Sequence, residues 1–177
     1  MICDLRDFTR ISDNWPRDDV IDLLNGYFDS MAEPVVRHGG EILKFIGDGM
    51  LAIFPLSEPS ACANLLHAVT EARQAMAALN EKNNGSGRAP LNFGIGLHVG
   101  DVMYGNIGSR ARLDFTVIGP AVNMASRLET LTKQLGRTVL LSRDFADLVA
   151  GEFELERLGQ HPVRGFADPI ELFAFHG

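Results

Sequence analysis

Only two cysteines, Cys3 and Cys62, occur in the 177 residues, too few for a disulfide framework. Neither stands in a CxxC pair or beside a histidine at ligand spacing, so both are expected to be small buried hydrophobes in a reducing compartment. Long apolar runs are absent as well. No stretch approaches the roughly 20 residues that cross a bilayer, and the opening residues carry no signal-peptide pattern. A cytoplasmic setting with no direct membrane insertion by this domain is expected, whatever a longer protein does. Basic residues are scarce, 16 against 23 acidic, for a net charge of −7. That balance speaks against broad electrostatic binding of nucleic acid or anionic lipid. It leaves room for a small anionic ligand, because a few cations and a metal reverse the field locally. Repeats and low-complexity segments are missing too.

What remains is ordinary for a globular domain: 46% hydrophobic and 22% charged residues, in a length that suits one domain, 1–177, with one core. The first strand has only Met1-Ile2-Cys3 before Asp4, which suggests a fragment of a longer protein. From Asp18 to about Arg37, Val20, Leu24, Tyr27, Phe28, Met31 and Val35 recur at helical spacing, with a kink or break expected at Pro34. Pro59 to about Lys82 is an Ala-rich helix, and Asn83 to Arg88 reads as a loop. Strand-like runs follow at 91–99, 101–107 and 113–118. A helix from Ala121 to about Gln134 is closed by Gly136. A short strand at 139–141, a short helix at 143–149 and strands at 153–158 and 170–175 complete the chain. The order strand, helix, strand, strand, helix, strand predicts an α+β fold. Its core is the ferredoxin-like split βαβ, with a mostly antiparallel sheet, helices on one face and C-terminal β/α additions.

Two segments carry chemistry. Leu43 to Phe54 is a hairpin joined by Gly47-Asp48-Gly49, with Asp48 at its tip and Lys44 four residues earlier. In the split βαβ order the first strand lies beside this hairpin, which brings Asp4 near Asp48. Either residue alone is an ordinary turn former. Together they form a hard-oxygen pair suited to Mg²⁺ or Mn²⁺ and to phosphate. Asp7 is expected to start a helix, with Thr9 the alternative cap. Gly94-Ile95-Gly96-Leu97-His98-Val99-Gly100 mimics a dinucleotide fingerprint, but no helix follows it, so its glycines are read as sites of close packing or bulging. His98 is read as part of the strand. The second segment, Asp114 to Glu129, runs from a strand through Gly119-Pro120 into a helix with Asn123 and Arg127 at i and i+4. Spacing alone leaves two readings open: a solvated stripe including Arg127 and Glu129, or a pair facing a cleft.

These pieces, taken in order, resemble the class III nucleotidyl cyclase catalytic domain over nearly the whole chain. The resemblance rests on Asp4-Leu5-Arg6-Asp7-Phe8-Thr9, Lys44-Phe45-Ile46-Gly47-Asp48, Gly94 to Gly100, Gly105-Asn106-Ile107-Gly108, and Phe115 to Arg127. It implies an adenylate cyclase making cyclic AMP from ATP, working as a head-to-tail homodimer with two Mg²⁺ or Mn²⁺ per active site. By the same resemblance, Asp4 and Asp48 bind metal together with the Leu5 carbonyl. Lys44 and Thr116 read the purine, and Phe8 and Thr9 lie against substrate. Asn123 and Arg127 are catalytic and come from the other protomer. Arg164 stands where the family often has a triphosphate-binding Lys, with its charge kept and its geometry changed. Lys44 and Thr116 resemble the subgroup that includes bicarbonate-responsive cyclases, which makes bicarbonate a possible effector. The alternatives are a guanylate cyclase, or a silent module for dimerisation or nucleotide sensing. A diguanylate cyclase is disfavoured, since Gly39-Gly40-Glu41 is not a GGDEF hairpin.

Overall fold

Strand β1 (Ile2–Leu5) is an inner strand, its short apolar run paired on both sides. Cys3 lies opposite Met50 on one neighbour and Ile95 on the other. The computed structural model describes residues 1–85, 88–109 and 112–177, with Arg112 in its backbone only. After β1 come α1 (Phe8–Asn14), α2 (Arg17–Arg37), β2 (Glu41–Ile46), β3 (Gly49–Ile53) and α3 (Ala61–Gly85). Next are β4 (Phe93–Leu97), β5 (Met103–Ser109), β6 (Arg112–Ile118) and α4 (Pro120–Leu135). The chain ends with β7 (Val139–Ser142), α5 (Arg143–Leu148), β8 (Leu155–His161) and β9 (Ile170–Phe175). The main sheet has seven strands in the order β2-β3-β1-β4-β7-β9-β8. Every pairing is antiparallel except β4 with β7. Strands β5 and β6 form a separate hairpin. The α+β, split βαβ expectation holds.

Helices cover both faces of the sheet, not one. On β7, Val139 and Leu141 join the core that holds Tyr27 and Met31 of α2 and Leu66, Val69 and Met76 of α3. Leu140 points the other way, into a second cluster with Met124 and Leu128 of α4, as strand alternation requires. Gly94 and Gly96 serve this second face. A Cβ on Gly96 would lie 2.5 Å from the Glu129 nitrogen and closer still to the Ala125 carbonyl, so only glycine lets α4 approach. Burial of each Leu or Met in these layers contributes about 1.5–3 kcal/mol.

Three local expectations are corrected. Of the kink or break expected at Pro34, the break does not occur: α2 runs on to Arg37, as its spacing predicted, with Pro34 buried in its final turns. The loop expected from Asn83 starts later: α3 continues to Gly85, because Asn83 is buried against the fold. Ser86 and Gly87 lie outside the described residues. Asp7 does stand at the N-cap of α1, at φ 57, but its side chain makes no capping hydrogen bond; its carboxylate instead accepts from Lys133 Nζ at 3.0 Å. That cation holds the Asp7 carboxyl below its usual range. Both cysteines are free and buried, as expected.

Candidate active site

The β2–β3 turn is built locally. Ile46 pairs with Gly49, leaving Gly47 and Asp48 as a two-residue turn. Gly47 has φ 62 while Asp48 is not among the positive-φ residues, the pattern of a II′ turn with glycine first. Gly49 lies opposite Asp4 across the sheet, and a Cβ there would press on Asp4 Oδ1 at 3.0 Å. The second glycine thus makes room for a carboxylate, while the first makes the turn.

Asp4 and Asp48 are thereby brought to the same cleft, close enough for the Asp48 charge to act on Asp4. They line an open cleft of about 610 Å³ together with Leu5, Asp7, Phe8, Thr9, Arg10, Asp13 and Asn14. Burial, then the neighbouring Asp48 charge, pushes the Asp4 carboxyl up to about 6. Two carboxylates this close resist joint ionisation unless a cation lies between them. Their acceptor-only oxygens, with the Leu5 carbonyl nearby, fit a hard divalent ion. Among the described residues no group of three or more His, Cys, Asp or Glu side chains forms a cage. Phosphate oxygens and water would have to complete the shell.

Lys44 lies half-buried on β2, just past a register shift at Ile42/Lys44. Strand β6 packs against β2, and Tyr104 on its partner strand β5 donates its hydroxyl to Glu41 Oε1 at 2.6 Å. Thr116, on β6, is 4% exposed, and its buried hydroxyl has no hydrogen-bond partner among the described residues. An orphaned hydroxyl of this kind costs roughly 1–3 kcal/mol unless a ligand satisfies it.

Asn123 and Arg127 stand on α4, exposed and half-buried respectively, and neither lines the Asp4–Asp48 cleft. Arg127 instead sits beside the β8–β9 loop that carries Arg164: its guanidinium lies 5.3 Å from the Phe166 ring centroid. One chain therefore gathers the carboxylates with Leu5, Phe8 and Thr9 in one place, and Asn123, Arg127 and Arg164 in another. A cavity of about 490 Å³ beyond Met1 is lined by none of the expected site residues.

The sequence reading missed Glu129. It is no solvated charge: it is 6% exposed and pairs with Arg6 at 2.9 Å. Its position was readable, since Met124, Ala125, Leu128, Glu129 and Thr132 form the buried face of α4 at helical spacing. His98 follows β4 and shares a hydrogen bond with Ser142 Oγ at 2.7 Å, a structural role.

Fold and site together define an α+β domain of the split βαβ type that holds two carboxylates over an open cleft. The chain belongs to the adenylate and guanylate cyclase catalytic domain family, which matches residues 1–177. An adenylate cyclase of Anabaena cylindrica is 37% identical over 146 residues, covering 80% of this chain and 28% of that protein. The structure of the adenylyl cyclase CyaB from P. aeruginosa matches with a TM-score of 0.88 at 28% identity, over 98% of this chain and 90% of that one. The guanylyl cyclase Cya2 matches at 0.85 and 29%, over 99% and 89%. The chain spans only 27% and 28% of the first curated relatives it matches. Neighbours named for both nucleotides mean that the fold by itself does not select the base.

Proposed function

We propose that this chain is the catalytic domain of an adenylate cyclase, converting ATP to 3′,5′-cyclic AMP and pyrophosphate at sites shared by two head-to-tail copies. The observation that carries the reading is that Asp4 and Asp48 line one cleft, Asp4 on β1 opposite the Gly49 that follows Asp48, a carboxylate pair suited to divalent cations. The separation of that pair from Asn123 and Arg127 supports a shared site. So does the exposed apolar surface of Met103, Tyr104, Leu113, Phe115 and Ile118 on the β5–β6 hairpin, with Ile46 beside the turn, since patches of this kind mark interaction surfaces.

In the reaction the ribose 3′-hydroxyl gives up its proton to solvent water, its oxygen bonds to the α-phosphorus, the bond to the bridging oxygen breaks, and pyrophosphate leaves with the electron pair. Two Mg²⁺ or Mn²⁺, held by Asp4, Asp48 and the Leu5 carbonyl, would supply Lewis acidity toward the attacking hydroxyl and the leaving group. Asn123 orients the ribose. Arg127 brings fixed charge to the phosphoryl oxygens as their charge develops, and Arg164 binds the triphosphate. Phe8 and Thr9 border the phosphates at the start of α1. Lys44, donor-only, suits adenine N1, and the buried Thr116 hydroxyl accepts from the exocyclic amine. Bicarbonate as an activator rests on the Lys44–Thr116 pair alone, and a rate unchanged across a bicarbonate titration at fixed pH refutes it.

The likeness to Cya2 favours a second reading, guanylate cyclase. Incubation with ATP or GTP plus Mn²⁺, with the products identified by mass spectrometry, separates the two. Cyclic AMP in excess supports the proposal, and cyclic GMP in excess supports the second reading. No cyclic nucleotide from either substrate overturns both and leaves a silent module.

A further inference from the structure

We infer that Phe166 is a positioning residue for Arg127, an aromatic shelf that holds the guanidinium in the orientation in which it meets the phosphoryl group. The inference rests on the catalytic reading of Arg127 above. The β8–β9 loop is fixed beneath α4 at one point: Val163, 3% exposed, packs into the cluster of Met124 and Leu128. From that anchor the Phe166 amide donates to the Val163 carbonyl at 3.0 Å, closing a turn. Gly165 makes the close pass possible. It has φ 84, and a Cβ on it would lie 2.9 Å from Arg127 Nη2 and 3.0 Å from Nη1. Beyond it the Phe166 ring lies under the guanidinium, with centroid and Cζ 5.3 Å apart, within cation–π range.

Among the described residues no carboxylate pairs with Arg127. The ring is therefore a contact that restrains the guanidinium without neutralising it. Neutral restraint matters chemically, because a carboxylate partner would compete with phosphate for the same donors. A flexible Arg loses rotamer freedom when it engages the transition state, and a shelf removes part of that loss beforehand. Phe166 itself is 39% exposed, so its replacement leaves both core clusters intact.

A double-mutant cycle with ATP and Mn²⁺ tests this. Phe166→Leu should lower kcat by about 3- to 10-fold with KM within about twofold, because the lost restraint acts in the transition state. Phe166→Tyr, which keeps the ring, should retain the wild-type rate. On an Arg127→Ala background, Phe166→Leu should cost nothing further. Independently of activity, the Arg127 Nε–H resonance, shielded by the ring, should move downfield in Phe166→Leu. Effects that multiply across the cycle, a rise in KM with kcat unchanged, or an unmoved resonance would overturn the inference. Full activity in Arg127→Ala would instead overturn the catalytic reading of Arg127, with the resonance still reporting whether the shelf exists.

Discussion

Arg6 and Glu129, 123 residues apart, join the end of β1 to the middle of α4. Arg6 Nη1 lies 2.9 Å from Glu129 Oε1, and Arg6 Nη2 donates to the Glu129 carbonyl at 3.1 Å. Burial raises the Glu129 carboxyl above its usual range, and the Arg6 charge opposes that rise. Gly94 gives the guanidinium its space, since a Cβ there would collide with it. The pair thus locks the strand that carries Asp4 and Leu5 to the helix that carries Asn123 and Arg127.

Removing one partner of this lock should destabilise far more than removing both. Arg6→Ala leaves a buried, uncompensated carboxylate and is expected to cost about 3 kcal/mol, lowering Tm by roughly 6–12 °C for a domain of this size. Replacing both residues with Met should recover most of the loss. Thermal melts of the two variants check this, and equal losses in both would contradict it.

Base choice should follow the donor set at Lys44. Lys44→Glu turns a donor into an acceptor, suited to guanine N1–H and unsuited to adenine N1. It is expected to lower the ATP-to-GTP ratio of kcat/KM by at least about 100-fold, since a polar site rejects a base that leaves its groups unpaired. Kinetics with both nucleotides measure the ratio, and an unaltered ratio removes Lys44 from the base site.

Acid sensitivity should owe part of its slope to His98. Burial holds its imidazole below the usual range, partly offset by Asp144. The unfolded chain therefore takes up the proton first as pH falls. Stability is complete above about 6.5, the ordinary imidazole value, and is lost as pH drops through that value toward the lower folded one. Denaturant melts from pH 8 to 5 should show a shallower decline in His98→Gln than in the wild type; identical slopes would exclude His98.

Legibility in the sequence tracked how local the cause was. The Asp48 turn was readable because glycine at one position decides its geometry, and the α4 stop was readable for the same reason at Gly136, φ 61. The juxtaposition of Asp4 with Asp48 followed from element order. Which face α4 covers did not, because element order carries no such information; Gly94 and Gly96 decide it by the space they leave. Asn83 looked like a loop residue until tertiary burial overrode its propensity. Glu129 stayed open as a member of a solvated stripe because its charge hid a position that periodicity alone would have buried. Phe166 left no trace in any repeat, since a single loop turn brings it beneath Arg127.

The central claim, that each chain holds half of two sites, is tested most directly by mixing Asp48→Asn chains with Arg127→Ala chains, each severely impaired alone, the latter by about 10²–10³-fold, with ATP and Mn²⁺. Each heterodimer would then contain one complete site, so an equal mixture should regain about a quarter of wild-type activity. Verified heterodimers that stay as inactive as either parent would contradict the shared site.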